Sequence, residues 1–449
     1  MKKFEKFRKE FPKFKYKSYK IEQASSLKIT YEFEIPNLEG GIFKPQWKFP
    51  FSSFTIYEKD EFFLSLVFSL GLAEMISYWK LTCSPEISIE AGALNEAQKK
   101  FWKKLFFKGL GEFFYTNNIS PPDELFDITT LPTEKQEFCI PKGYDQSKVL
   151  IPIGGGKDSA VSLELLKNFD RTGFIINPRG ASIKTAEISG LKNLIKAERT
   201  LDKNMLVLNK KGFLNGHTPF SAIVAFSSLL AAYINKIPFV ALSNESSANE
   251  ATVHNSAINH QYSKSEEFER DFIEYEASFI QSKVKYFSFL RPLTELKIAE
   301  IFSRLKGYHK IFKSCNVGSF QDRWCGSCAK CLFVYIILSP FLSAEDLEKI
   351  FGNNLFENET LIKTLSELCG MSETKPFECV GSVNEVRLAL SETVLQYKKR
   401  GQKLPKLLEL FNSWNLEGFS DFYSVLESYD ENNHLPLEFS AILKERHGK

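Results

Sequence analysis

Lys148-Val149-Leu150-Ile151-Pro152-Ile153-Gly154-Gly155-Gly156-Lys157-Asp158-Ser159 is an apolar run, a triglycine and a polar triplet in direct succession. The apolar half reads as a buried strand, and Ser159 to Phe169 continues as a helix. Three glycines between them permit positive φ, so backbone N–H groups can converge on one anion, while the helix behind turns its positive end to the same spot. Lys157 adds charge, Ser159 a hydroxyl, and Asp158 a carboxylate able to hold a phosphate-bound Mg²⁺. A Walker A loop is excluded, because the glycines are contiguous and the lysine precedes the Asp-Ser pair. Glycines alone would serve as well to pack a helix closely on a strand; the Lys-Asp-Ser that follows tips the reading towards phosphate.

Outward from this turn the pattern repeats. A strand from Gly173 to Asn177, a helix near 183–193, an apolar helix from Phe220 to Asn235 and the strand Pro238 to Ser243 follow. Strands alternating with helices predict an α/β fold, a doubly wound parallel sheet with helices on both faces. Three regions are expected: an N-terminal α+β domain over 1–140, the α/β domain over 145–340, and a mainly helical extension over 341–449. In the first, Leu27 to Ile35 alternates as a half-buried strand, whereas Glu61–Trp79 and Asn95–Phe114 read as long helices.

The composition is that of a globular protein, with 43% hydrophobic and 25% charged residues and a net charge of +3. Nine Lys/Arg against two Glu give residues 1–20 a local +7, so the remainder carries −4. That balance speaks against a nucleic-acid partner. The first twenty residues read as a basic, solvated arm, although Phe4, Phe7, Phe11 and Phe14 fall at helical spacing. The longest unbroken apolar run, Phe62 to Leu72, is too short to span a bilayer, and the N-terminus lacks an apolar signal core. A cytoplasmic protein is expected.

Of eight cysteines, Cys315, Cys325, Cys328 and Cys331 crowd together. Two CxxC steps sharing Cys328, closed by a fourth thiolate, suit a structural Zn²⁺. Part of the spacing also fits an iron–sulfur pattern. The polar strip Ser243 to Ser265 follows a predicted strand end, where open α/β sheets bind ligands, and it contains His254 and His260; His217 precedes the apolar helix.

On these motifs the sequence resembles known families. GGGKDS resembles the SGGxDS loop of the PP-loop (N-type) ATP pyrophosphatases, with Gly154 where that family carries serine. Ser243-Asn244-Glu245 and Phe289-Leu290-Arg291-Pro292-Leu293, followed by Lys297, extend the likeness. The cysteine spacing is similar to the zinc site of PP-loop enzymes that make 7-cyano-7-deazaguanine. The polar strip, Phe377-Glu378-Cys379-Val380-Gly381-Ser382, Ser77 to Pro85 and Gly109 to Tyr115 resemble the ATP-dependent UDP-N-acetylmuramoyl-L-alanyl-L-glutamate epimerases of the MurL type, over about 45–390.

This resemblance implies ATP and Mg²⁺ as cofactors, a UDP-muramoyl dipeptide as substrate, and adenylation of a carboxyl group with loss of pyrophosphate. The expected ATP contacts are Gly154, Gly155, Gly156, Lys157, Asp158, Ser159, Asn177, Ser243 and Lys297. Asn244, Asn259, Tyr262 and Arg291 are the expected substrate contacts. The epimerisation acid and base are sought among His217, Glu245, His260 and Lys264. Two alternatives stand beside it: a PP-loop ligase or sulfur transferase acting on a nucleobase or tRNA, and a non-catalytic zinc-dependent nucleic-acid-binding protein.

Overall fold

The computed structural model describes residues 2–50, 60–132, 143–253, 256, 258–318, 321–416 and 420–447. Eleven strands follow in chain order: β1 (Lys13–Gln23), β2 (Ser26–Glu34), β3 (Ile42–Phe43), β4 (Gln46–Pro50), β5 (Glu86–Ala93), β6 (Asp127–Leu131), β7 (Lys148–Pro152), β8 (Asp170–Ile176), β9 (Asn193–Thr200), β10 (Phe239–Leu242) and β11 (Lys285–Ser288). They form one sheet in the order β11-β10-β7-β8-β9-β4-β2-β1-β5-β6, with β3 on β2.

The five strands from β11 to β9 are parallel, as the alternating pattern predicts. Their side chains point to two cores by turns. Leu150 enters one core and Val149 and Ile151 the other; Val240 and Leu242 oppose Phe239 and Ala241 in the same way. Helices Glu61–Trp79, Glu96–Gly109 and Phe220–Ile234 cover the first face. Lys157–Leu165, Glu295–Ser303, Ala329–Leu338 and the C-terminal helices cover the second, down to the wholly buried Phe439.

A purely parallel sheet is only part of what forms. At β9 the sheet continues antiparallel into β4, pairing Trp47 with Arg199, and runs on through β2 and β1 before β5 and β6 return parallel. A buried Glu74 pins this seam: its carboxylate accepts from Arg199 Nε and Nη2, each at 2.8 Å, and from Trp47 Nε1 at 3.1 Å. Removing one partner of such a buried pair costs about 3–5 kcal/mol.

The N-terminal residues differ from the expected solvated arm. Lys3–Glu10 is a helix with Phe4 and Phe7 buried, and Phe7 stacks on Phe213 at 4.8 Å. From Lys13 the period becomes two: Phe14 and Tyr16 are fully buried, while Lys13 and Lys17 pair with Glu86 and Glu90 on β5 at 2.8 Å. The lysines are one edge of a cross-strand charge ladder, which is why their number alone misleads. One helix among the described residues, Glu61–Trp79, is apolar and long enough to cross a membrane, yet 89% of its apolar window is buried within the protein.

Candidate active site

β7 lies between β8 and β10, so the chain leaves it on one side and later returns on the other. Its carboxyl end is therefore a topological switch point, where a crevice opens in such sheets. The triglycine sits there. Gly155 has φ +87°, and a Cβ on it would lie 2.7 Å from Ser182 N, so only glycine fits. Gly156 caps helix Lys157–Leu165, while its own Cβ position faces Ser314 Oγ. At Gly154 a Cβ would meet nothing within 4 Å, since that residue faces the open cavity.

This cavity, of about 260 Å³, is lined by Gly154, Gly156, Asp158, Ser159, Ser243, Asn244, Lys264, Lys313, Ser314, Lys330 and Cys379, among others. Lys157 lies beneath it, buried, and pairs with Asp158 Oδ1 and Glu295 Oε2. Burial opposes its charge, but the two carboxylates prevail and raise its pKa. For Glu295 burial wins over Lys157 and lifts the carboxyl to about 8. Three lysines on the wall and a helix N-terminus below give the cavity the charge that suits a polyanion.

Next to Cys379, on the wall of this cavity, stands a second cluster. Glu112, from helix Gly111–Thr116, presents Oε2 to His217 Nδ1 at 3.2 Å and to His260 Nδ1, and the two imidazole rings lie 4.5 Å apart. His260 and Lys264 also lie near enough to the Cys379 thiol for each to act on the other. The environments drive these groups apart. Burial and the neighbouring His260 depress His217 to about 4. Burial works against a charge on His260 too, yet Cys379 and Glu112 push it up to about 9. Burial alone would raise the Cys379 thiol, but Lys264 and His260 bring it down to about 6. Neighbouring groups separated in this way are the mark of acid/base sites.

Of the other expected residues, Ser243 and Asn244 line the cavity, Ser243 Oγ lying 2.8 Å from Ser162 Oγ and Asn244 donating to Ser288 Oγ at 3.0 Å. Glu245 is buried behind them, near enough for its charge to act on Lys157 and Lys264. The remaining five are engaged elsewhere. The Asn177 amide bridges to Arg199 backbone N and O at 2.7 and 2.9 Å. Lys297 pairs with Glu300 and Glu427, each at 3.0 Å. Asn259 shapes its own loop through Ala248 O and Gln261 N, and Tyr262 is buried beside Lys108. Arg291 is fully buried: it pairs with Glu269 Oε2 at 3.1 Å and donates to the carbonyls of Glu245, at 2.5 Å, and of Lys264. It holds the two site segments in place from behind and does not face the cavity. His254 lies outside the described residues.

Sequence reasoning did not single out Glu112, Glu295, Lys330 or Cys379 as site residues. Cys379 stood in a quoted motif, but nothing local distinguished its thiol; its partners come from distant segments. The chain around it is fixed. Glu378 Oε2 accepts from Lys330 N at 2.7 Å, Lys330 Nζ donates to Cys379 O, and Gln261 Nε2 donates to Val380 O at 3.1 Å.

Lys330 in turn belongs to the cysteine cluster. Cys315, Cys325, Cys328 and Cys331 converge, with Sγ–Sγ distances of 3.5, 3.7 and 3.8 Å. A tetrahedral shell with metal–sulfur bonds of about 2.3 Å has edges of roughly 3.8 Å, so the four thiols could hold a structural zinc. Gly318 N donates to Cys315 Sγ at 3.0 Å, as thiolate ligands require of their surroundings.

Two family models match the chain: the MurL N-terminal domain over residues 5–289 and the MurL C-terminal domain over residues 311–412. Curated relatives named UDP-N-acetyl-alpha-D-muramoyl-L-alanyl-L-glutamate epimerase include one from Micromonospora sp., 36% identical over 82% of this chain and 83% of its own. Another, from Xanthomonas oryzae, is 34% identical over 72% of this chain and 73% of its own. That from Salinispora tropica is 36% identical over 70% of each. No solved structure matches. Matched in both its N-terminal and C-terminal parts, the chain belongs to the MurL family.

Proposed function

We propose that this protein is an ATP-dependent epimerase that converts the terminal L-Glu of UDP-N-acetylmuramoyl-L-Ala-L-Glu to D-Glu through a carboxyl-adenylate, releasing AMP and pyrophosphate. The observation that carries the reading is a single cavity lined by a phosphate-type loop and by Lys264 and Cys379, with the Glu112, His217 and His260 cluster adjoining, in a chain of this family. The five parallel strands, with the loop after the first of them, support PP-loop chemistry. So do the cationic walls.

Activation explains the two walls. Removing an α-proton beside an ionised carboxylate would place a second negative charge on the same few atoms. An acyl-adenylate is uncharged at its carbonyl and draws electrons from the α-carbon, which makes the proton removable by a side chain. Gly154 to Gly156 and the helix N-terminus would receive the departing pyrophosphate, with Lys313 and Lys330 offsetting its charge. Asp158 is the carboxylate that would hold Mg²⁺. Inversion then needs a proton acceptor on one face and a donor on the other, and Lys264, His260 and Cys379 are in reach of the cavity. Water would release the acid. We place the reaction in the cytoplasm, with zinc in the Cys₄ shell.

The deciding experiment incubates the protein with ATP, Mg²⁺ and the UDP-muramoyl-L-Ala-L-Glu nucleotide in deuterated water. Glutamate of inverted configuration carrying α-deuterium, formed together with AMP, is the expected result. Inversion without AMP, or AMP without exchange, would overturn the mechanism.

A further inference from the structure

We propose that the Cys379 thiolate is one of the two proton-transferring groups of the epimerisation, accepting the glutamate α-proton of one configuration directly. The proposal rests on the epimerase reading above and deepens it. Cys379 is a wall residue of the cavity that also presents Gly154, Asp158 and Lys264, so a substrate carboxyl activated over the glycine loop lies in the same enclosed space as this sulfur. Its backbone is held on both sides by Lys330 and Gln261, which fixes the direction of the side chain. Three cationic side chains, Lys264, His260 and Lys330, are close enough to act on the charge of its sulfur.

The cations around it favour a thiolate, the carboxylates Glu112, Asp158 and Glu245 order those cations, and Glu378 alone of the named groups opposes it directly. Glu112 binds His260 Nδ1 and keeps that ring cationic; His217, on the same carboxylate, stays neutral. Asp158 and Glu245 face Lys264 from the glycine-loop side, and Glu378 adjoins Cys379 in the chain, its carboxylate bonded to Lys330 N. A structural cysteine needs none of this. Cys83 and Cys369 illustrate the contrast, since burial pushes both thiols up even with Arg8 and Lys80 near the first and Arg387 near the second.

The step balances without further reagents. The sulfur lone pair takes the α-proton, the C–H electrons enter the adenylate carbonyl, and the resulting enolate collects a proton from the opposite face. In the reverse direction the Cys379 S–H returns its proton. A thiolate leaves no covalent adduct in this role, which separates it from a nucleophile forming a thioester.

The experiment uses the full-length protein with ATP and Mg²⁺, offers the L-Glu and D-Glu UDP-muramoyl dipeptides separately in deuterated water, and compares wild type with Cys379→Ser and Cys379→Ala. Wild type failing to invert either compound would sink the epimerase reading itself. With an active wild type, the expected result is a fall in inversion of at least about 100-fold. Alpha-deuterium uptake should be lost from one configuration and survive for the other, with pyrophosphate release retained for both. Uptake surviving for both, or vanishing equally from both, overturns the proposal, because a structural role has no reason to distinguish two faces of one carbon. Independently of turnover, alkylation of Cys379 by iodoacetamide, followed by peptide mass, should reach half its limiting rate near pH 6. The His260→Ala variant should need a higher pH. A profile in the ordinary thiol range, or a substrate-sized adduct on Cys379 in the wild type, would likewise overturn it.

Discussion

The two walls of the cavity were built in opposite ways. The glycine wall is a single stretch of chain, Gly154 to Ser159, in which strand, turn and helix are neighbours in sequence. The other wall, through Cys379, adjoins a cluster that draws Glu112, His217 and His260 from three further segments, and the bond from Glu112 to His260 alone spans 148 positions. The first wall can form wherever a parallel strand meets a helix; the second exists only once both halves of the sheet and the C-terminal helices have docked. Partial reactions should therefore separate along this line.

The largest effect is expected at the local wall. Asp158→Ala should lower substrate-dependent pyrophosphate release by on the order of 10³-fold, as loss of a preorganised charge does. His260→Ala should retain that release while losing inversion. An Asp158 variant that still makes AMP would remove the loop from the mechanism.

Next comes the tie between the walls. Elemental analysis should find zinc in the wild type and none in Cys331→Ser, whose melting temperature should fall steeply, since a structural site contributes on the order of 10 kcal/mol. Both partial reactions should then fail together, because Lys330 lines the cavity and holds the Cys379 carbonyl.

Glu112→Gln tests the distributed wall more gently. Inversion should fall about 10- to 100-fold with pyrophosphate release intact. A pH dependence accompanies it. His260 is raised from 6.5 to about 9, so the stability it gains from its partners is complete below the lower value and disappears as pH rises through the upper one. The variant should melt below wild type near neutrality and converge with it above pH 9.

The smallest effect belongs to Gly154→Ser. The added side chain meets open space, so stability should change by no more than about 0.5 kcal/mol, and the extra hydroxyl should leave pyrophosphate release near the wild-type rate. Gly155→Ala, one residue along the same loop but against Ser182 N, should cost about 1–3 kcal/mol.

What could be read from the sequence follows the same division. The parallel half of the sheet, the glycine turn and the cysteine cluster were legible because each depends on residues a few positions apart. The continuation from β9 to β4 was not, since it depends on Trp47, Glu74 and Arg199 meeting across the fold. Strand β1 was hidden by its own lysines, whose partners on β5 lie some 70 positions away. Arg291 was expected at the ligand because guanidinium groups clamp phosphates, but burial beside Glu269 turned it inward. Cys379 carries no local signal at all; its chemistry is conferred by Lys264 and His260.

That inward arginine sets a gauge. One rigid, planar group grips the carbonyls of Glu245 and Lys264 at once, with Glu269 locking it from behind. The span between the residue next to the glycine loop and the residue next to the thiol is thus dictated by the shape of a side chain that no solvent or ligand reaches.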